Sequence, residues 1–192
     1  MKRGFKAHAE RESARLRACV GVGARDPLSA EVLAAELGVL LVSPTEIPGL
    51  DSVTLAVLQR TASTWSAVTL PAIKPPRVIY NPFHAPTRHE SDVMHELAHL
   101  LCEHRSDQLI VVGGLPCRSF SREQEEEAAW MGATLQAPRV ALVALSQRGL
   151  TVAQVALHLG CSEDLVRYRM NVTGIERQLG RRRWRPSRTG AS

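Results

Sequence analysis

Apolar positions along the chain fall into two kinds of pattern, and the pattern changes where the elements change. Near the start, Phe5, Ala9, Leu16 and Val20 form a rough stripe at helical spacing, which predicts a helix from about Gly4 to Cys19. In DPLSAEVLAAELGV, Val32, Leu33, Ala35 and Leu37 recur in the same way; Ser29 can cap that helix and Gly38 can end it. VLLVS then reads as a short buried strand. Asp51 to Thr64 fits either state, with helix favoured. TWSAVTLPAI and PRVIYNPF are β-rich runs parted by a proline turn around KPP, and they predict adjacent antiparallel strands.

A longer helix is expected from Thr87 to about His104, with TRHE (Thr87 to Glu90) in capping-box form. Val93, Leu97, Leu100 and Leu101 give it one apolar stripe. Segment 105–121 contains Gly113-Gly114 and Pro116 and reads as a connection with one short strand. A further helix runs from near Ser121 to Pro138. LTVAQVALHLGCSEDLVRYRM reads as two short helices about a glycine turn, and a loose tail is expected beyond Arg177.

Composition narrows the class. A chain of 192 residues with 44% hydrophobic content suits one packed domain, or one domain with a small appendage. Aromatic residues make up 4%, so Leu, Val and Ala must fill the core. The net charge of +5 resides largely in the tail RRRWRPSR, which could track a phosphate backbone or simply be a solubilising end, the reading we favour. Cys19, Cys102, Cys117 and Cys161 are far apart and form no CxxC pair, which points to a reducing cytosol rather than a disulfide scaffold. The charged opening has no apolar core of a signal peptide, and no run is long enough to span a membrane.

Candidate chemistry sits in the stretch VMHELAHLLCEH, Val93 to His104. His95 and His99 are one helical turn apart, on one face, and can bind one ion through two ring nitrogens. Glu96 lies about 60° around the helix from His99, where a carboxylate can reach a metal-bound water without ligating. This is the HExxH arrangement of zinc hydrolases: Zn²⁺ acidifies the water, and Glu96 takes its proton and can pass it to a departing amine. A third protein ligand is needed, and Glu125, Glu126 and Glu127 on the next predicted helix are candidates. Without a ligand role, those three would be a solvated acidic helix start. Cys102 and His104 fall on different helix faces, so neither is expected to pair with His99, and both read as structural or surface residues. His84 and His89 flank the helix start; one could stabilise an oxyanion, but a loop histidine is more often exposed.

HELAH followed by EEEAAWMGATLQAP (Glu125 to Pro138) resembles the ImmA/IrrE family of metallopeptidases, whose second motif is E-x-E-A-N-x-F-A-x-x-L-L-x-P. Aligning Pro138 with the family proline implies that Glu125 is the third zinc ligand and Glu127 a supporting residue. Ala129 stands where the family usually has Asn, and Met131 where it has Phe. The opening segment also looks like that of phage and actinobacterial members. The resemblance implies an α+β fold in which a small antiparallel sheet packs against zinc-binding helices and a helix-turn-helix-like unit follows. It implies a cytosolic zinc endopeptidase at residues 1–145, the helical unit at 146–178 and the basic tail at 179–192. The implied metal ligands are His95, His99 and Glu125, with Glu96 as the catalytic base. The implied partner is a protein substrate, a transcriptional repressor in relatives.

Two rivals stay open. Ala156, Gly160, Val166 and the Ser162 cap match a helix-turn-helix pattern, so a DNA- or repressor-binding regulator with a structural metal is the alternative. Glu163 and Asp164 would repel phosphates there, with Arg167 and Arg169 partly offsetting them, so a packing or docking unit is preferred to a DNA reader. Ala129 motivates the other rival, a peptidase relative that binds its partner without cutting it.

Overall fold

A computed structural model describes residues 1–70, 74–105, 108–112 and 115–178. The elements are helices α1 (Phe5–Cys19), α2 (Ala30–Glu36), α3 (Ser52–Arg60), α4 (Pro86–Leu101), α5 (Arg122–Gln136), α6 (Arg139–Gln147), α7 (Val152–Leu159) and α8 (Glu163–Val172), with strands β1 (Leu40–Val42), β2 (Ala67–Leu70), β3 (Arg77–Tyr80), β4 (Gln108–Val112) and β5 (Leu115–Ser119). The fold is α+β, as expected. The basic tail from residue 179 lies outside the described residues.

The three-stranded sheet has the order β1-β3-β2. β2 and β3 pair antiparallel, with Val68 opposite Ile79 and Thr69 opposite Val78. β1 joins the other side of β3 in parallel, so the sheet is mixed rather than wholly antiparallel. The connection expected over 105–121 holds two strands, β4 and β5, paired as an antiparallel hairpin. Alternation along β2 aims Thr69 at α4, while Val68 and Leu70 line an apolar cavity under α3.

α4 is the central element. Its buried stripe of Val93, Met94, Leu97 and Ala98 packs with Val78 of the sheet, Leu33 of α2, Ala9 and Leu16 of α1, and Met131 and Leu135 of α5. A second cluster joins Ala137, Leu142, Leu145, Val155, Leu159, Val166 and Ile175. That cluster depends on α6, a helix for which the sequence reading assigned no element. Its start is set by Pro138 at the N-cap.

The capping box expected at Thr87 does not form. α4 begins one residue earlier, at Pro86, because proline's fixed φ and missing N–H suit a first helical position. Glu90 is thereby freed, and its carboxylate accepts the Ala30 N–H instead, capping α2 from a distance. The end of α4 also differs: it stops at Leu101 instead of running to His104. Glu103 takes φ 53, and the His104 N–H then reaches back to the His99 carbonyl while the Glu103 N–H bonds that of Leu100. This is the Schellman arrangement with glutamate in the left-handed position.

The C-terminal end of α5 is held by two buried arginines. Arg17 of α1 donates to the Leu135 carbonyl at 2.7 Å, and Arg169 of α8 donates to that of Ala137 at 3.1 Å. Both satisfy carbonyls a helix end leaves unpaired, and both place positive charge where the helix dipole favours it. Midway along α5, Gly132 meets α4 so closely that a Cβ there would lie 3.1 Å from the Met94 carbonyl oxygen. The two helices that carry the candidate chemistry are thus in direct backbone contact.

Candidate metal centre

The i, i+4 spacing brings the Nε2 atoms of His95 and His99 to 3.1 Å from each other. Glu125, near the start of α5, offers Oε2 at 3.1 Å from His95 Nε2 and Oε1 at 3.7 Å from His99 Nε2. Two ligands about 2.0–2.1 Å from a tetrahedral zinc stand about 3.3 Å apart, so these separations fit the donor set of one such ion. Two imidazole nitrogens facing each other at this distance, with a carboxylate beside both, are an arrangement that a shared cation satisfies. Among the described residues, these three side chains are the His, Cys, Asp and Glu group close enough to hold an ion. Glu126 and Glu127 are not in it. Glu126 forms an exposed pair with Arg122, and Glu127 turns the other way, into the protein.

Glu96 faces a cleft of about 220 Å³ lined by Trp65, Ser66, Thr69, His99, Phe120 and Glu125, among others. Its carboxylate accepts a hydrogen bond from the Thr69 hydroxyl at 2.5 Å. Burial pushes its pKa up to about 7, the Thr69 bond opposes that rise and the Glu125 charge adds to it. A carboxyl poised near neutrality can hold or release a proton at working pH. His99 goes the other way: burial, then the neighbouring imidazoles of His95 and His104, lowers its pKa to about 3. It is therefore neutral at neutral pH, the state a metal ligand needs.

The chain resembles its sequence expectation less closely around His104. That residue was placed on a helix face away from His99. Because α4 ends at Leu101 and Glu103 reverses the backbone, its ring instead returns beneath His99, with the two Nδ1 atoms 3.1 Å apart. Its Nε2 lies 3.3 Å from Glu127 Oε2, and Glu127 Oε1 accepts the Lys2 backbone N–H at 2.9 Å. Phe120 stacks on a face of the His99 ring, with centroids 3.8 Å apart.

A family model described as the IrrE N-terminal-like domain of peptidase family M78 matches residues 57–171. The chain belongs to the ImmA/IrrE metallopeptidase family. A search of curated proteins finds no match. The family match begins within α3 and ends within α8, so it takes in the cleft, α4, α5 and nearly all of the helix-turn-helix-like unit.

Within this ImmA/IrrE chain, Ala129 lies beside His95 and lines a pocket of about 240 Å³ that also includes Gly132, Gln136 and Tyr168. The shortened side chain thus leaves space next to a candidate ligand. His84 and His89 are not at the cleft. His84 binds Asp92 through Nδ1 at 2.5 Å and meets the Ala62 carbonyl through Nε2, which ties the loop after β3 to α4. His89 packs edge-on against Tyr80. Half-buried Cys102 has its thiol pushed up to about 11 by burial, which makes it a packing residue. The sequence reading missed Thr69, His104 and Phe120. Thr69 carries a weak signal, a polar residue on the inward face of an apolar strand; the other two carry none.

Proposed function

We propose that this protein is a zinc endopeptidase in which His95, His99 and Glu125 hold the metal and Glu96 is the general base. The observation that carries the proposal is the meeting of two Nε2 atoms and one carboxylate at tetrahedral spacing beside a half-buried glutamate. Zinc bound there supplies a Lewis acid for a peptide carbonyl and brings the pKa of a water toward about 7. Glu96 accepts the water's proton and is held in position by Thr69. Its raised pKa then suits it to return that proton to the leaving amine. Phe120 and the wall from Trp65 to Thr69 limit solvent around the reacting atoms. A cleft of about 220 Å³ admits an extended segment rather than a folded surface, which fits limited cutting of an exposed loop or linker.

The substrate we infer is a cytosolic helix-turn-helix repressor, the class that relatives in this family cut. No helix among the described residues is long and apolar enough to cross a membrane. The test is metal content together with cleavage of a repressor encoded beside the protein. About one zinc per chain, and cleavage lost in Glu96→Gln with zinc retained, support the proposal; full cleavage by Glu96→Gln removes Glu96 from the mechanism. Ala129 supports one second reading, a metal-holding protein that binds its partner without cutting it. Tight binding with intact repressor after prolonged incubation identifies that case.

A further inference from the structure

The zinc proposal above uses His99 Nε2 and leaves its Nδ1 unexplained, yet that atom begins a chain of three contacts. His99 Nδ1 meets His104 Nδ1 at 3.1 Å, His104 Nε2 meets Glu127 Oε2 at 3.3 Å, and Glu127 Oε1 accepts the Lys2 N–H at 2.9 Å. The side chains of His99, His104 and Glu127 are all 3% exposed or less. Water is therefore excluded from supplying alternative partners, and each bond needs one donor and one acceptor.

With His104 neutral, one polarity satisfies every member. An ionised Glu127 donates nothing, so it accepts from Lys2 and from His104 Nε2–H. A neutral His104 then has a lone pair at Nδ1, which accepts from His99 Nδ1–H. His99 is left with its own lone pair at Nε2, the atom that faces His95 and Glu125. Phe120 stacks on the ring and limits its tilt.

We propose that His104 and Glu127 are positioning residues that hold His99 in the Nδ1–H tautomer and so present its Nε2 lone pair to a metal. This rests on the zinc reading of the site, but the tautomer is a property of the metal-free chain and can be read without it. Partners of this kind, which orient a ligand through its far nitrogen, typically change metal affinity by about 10–100-fold when altered.

Glu127→Gln is the decisive variant because it keeps size and removes one acceptor. Its amide must either face Lys2 N–H or His104 Nε2–H with a donor, or reverse His104 and force the proton of His99 onto Nε2. Zinc alone is the probe, with its dissociation constant read by competition with a chromophoric chelator on the full chain. We expect Glu127→Gln to weaken zinc by about 10–100-fold with little change in the unfolding temperature of the metal-free protein. His104→Ala should weaken it similarly, and His104→Asn should recover part, since its Oδ1 can accept from His99 Nδ1–H. Nitrogen-15 NMR of the metal-free wild type should show His99 protonated at Nδ1.

Wild-type zinc affinity in both Glu127→Gln and His104→Ala overturns the proposal, as does a His99 protonated at Nε2 in the metal-free wild type. Failure of the wild type to bind zinc counts against the metal site itself, and the NMR result still decides the tautomer. If His104→Ala does not fold, Glu127→Gln and the NMR spectrum settle the matter.

Discussion

The α4–α5 pair and the α7–α8 pair are both two-helix units in mutual contact, yet they treat polar residues in opposite ways. At the α4–α5 seam, His99, His104 and Glu127 are buried together beside a half-buried Glu96, and they face one another or a cleft. Between α7 and α8 the buried residues are Val155, Ala156, Leu159 and Val166, and the polar side chains Thr151 and Ser162 cap helix starts. The one buried charge of that unit, Arg169, points away from it toward Glu10 and the end of α5. Buried polar clusters are hard to justify by stability, whereas apolar seams and caps are ordinary folding devices. On this contrast we propose chemistry for the first pair and packing for the second, despite the second pair's helix-turn-helix outline.

The strongest way to break that comparison is Arg169→Ala. If α8 were a DNA-reading helix, this cation would be a surface contact and its loss would leave stability unchanged. Instead its side chain is fully buried, pairs with Glu10 at 2.6 Å and lies over the Trp130 ring. We expect a loss of about 3 kcal/mol in denaturant unfolding, because the substitution leaves a carboxylate and the α5 carbonyl end without their partner. An unchanged midpoint would return α8 to the list of candidate DNA contacts.

Glu96→Gln sharpens the other side. The Glu96 pKa of about 7 in the fold lies above its ordinary 4.5, so the metal-free folded state holds the proton more tightly than the unfolded chain. Stability contributed by wild-type Glu96 is therefore lost as pH rises from about 4.5 to 7, and the penalty is complete above that. Metal-free Glu96→Gln should match the wild type near pH 4 and exceed it by about 3 kcal/mol at pH 8. Parallel stability curves for the two proteins across this range would mean Glu96 sits in an ordinary environment and is not poised for proton transfer.

Gly132→Val tests whether the seam depends on close helix approach. A Cβ at residue 132 would come within 3.1 Å of the Met94 carbonyl oxygen and 3.3 Å of the His95 amide nitrogen. A branched side chain should push α5 outward and lower stability by about 1–2 kcal/mol. The same movement carries Glu125 away from His95 and His99, so zinc affinity should fall too. Zinc binding that survives with stability reduced would show that Glu125 is less fixed than its contacts imply.

How much of this was legible in the sequence follows from distance along the chain. His95, Glu96 and His99 were readable because helical spacing alone puts them on neighbouring positions of α4. The pairing of β2 with β3 was readable from two β-rich runs about a proline turn. Glu125 could be chosen over Glu126 and Glu127 only through the family motif, since all three begin the same helix and rotation about its axis separates them. His104 was hidden because the helix ends in a left-handed glutamate where no glycine marks the turn. Thr69 was only faintly marked, as a polar residue in an apolar strand, because its partner Glu96 belongs to a different element and local pattern carries no pairing information across that gap. Arg169 was misjudged for the same reason: its charge looked exposed until Glu10 and Ala137 were placed against it.

Arg167 gives the smallest effect and the finest test. It sits two residues before Arg169 on α8, but its side chain is exposed and pairs with Glu163 one turn earlier at 2.9 Å. Exposed pairs of this spacing contribute about 0.3–0.5 kcal/mol, screened by salt. Arg167→Ala should therefore shift unfolding by no more than about 0.5 kcal/mol at low salt and by nothing measurable at high salt. The informative readout is DNA binding at physiological salt. A groove-reading helix would need this cation, which is the one on α8 turned toward solvent among the described residues, and its removal would weaken binding. In a packing unit, Glu163 already neutralises Arg167, and Asp164 adds a repulsive charge at the same helix start. Wild type and Arg167→Ala should then show equally weak, salt-sensitive retention of any DNA. A specific complex formed by the wild type and lost in Arg167→Ala would overturn the division of labour between the two helix pairs.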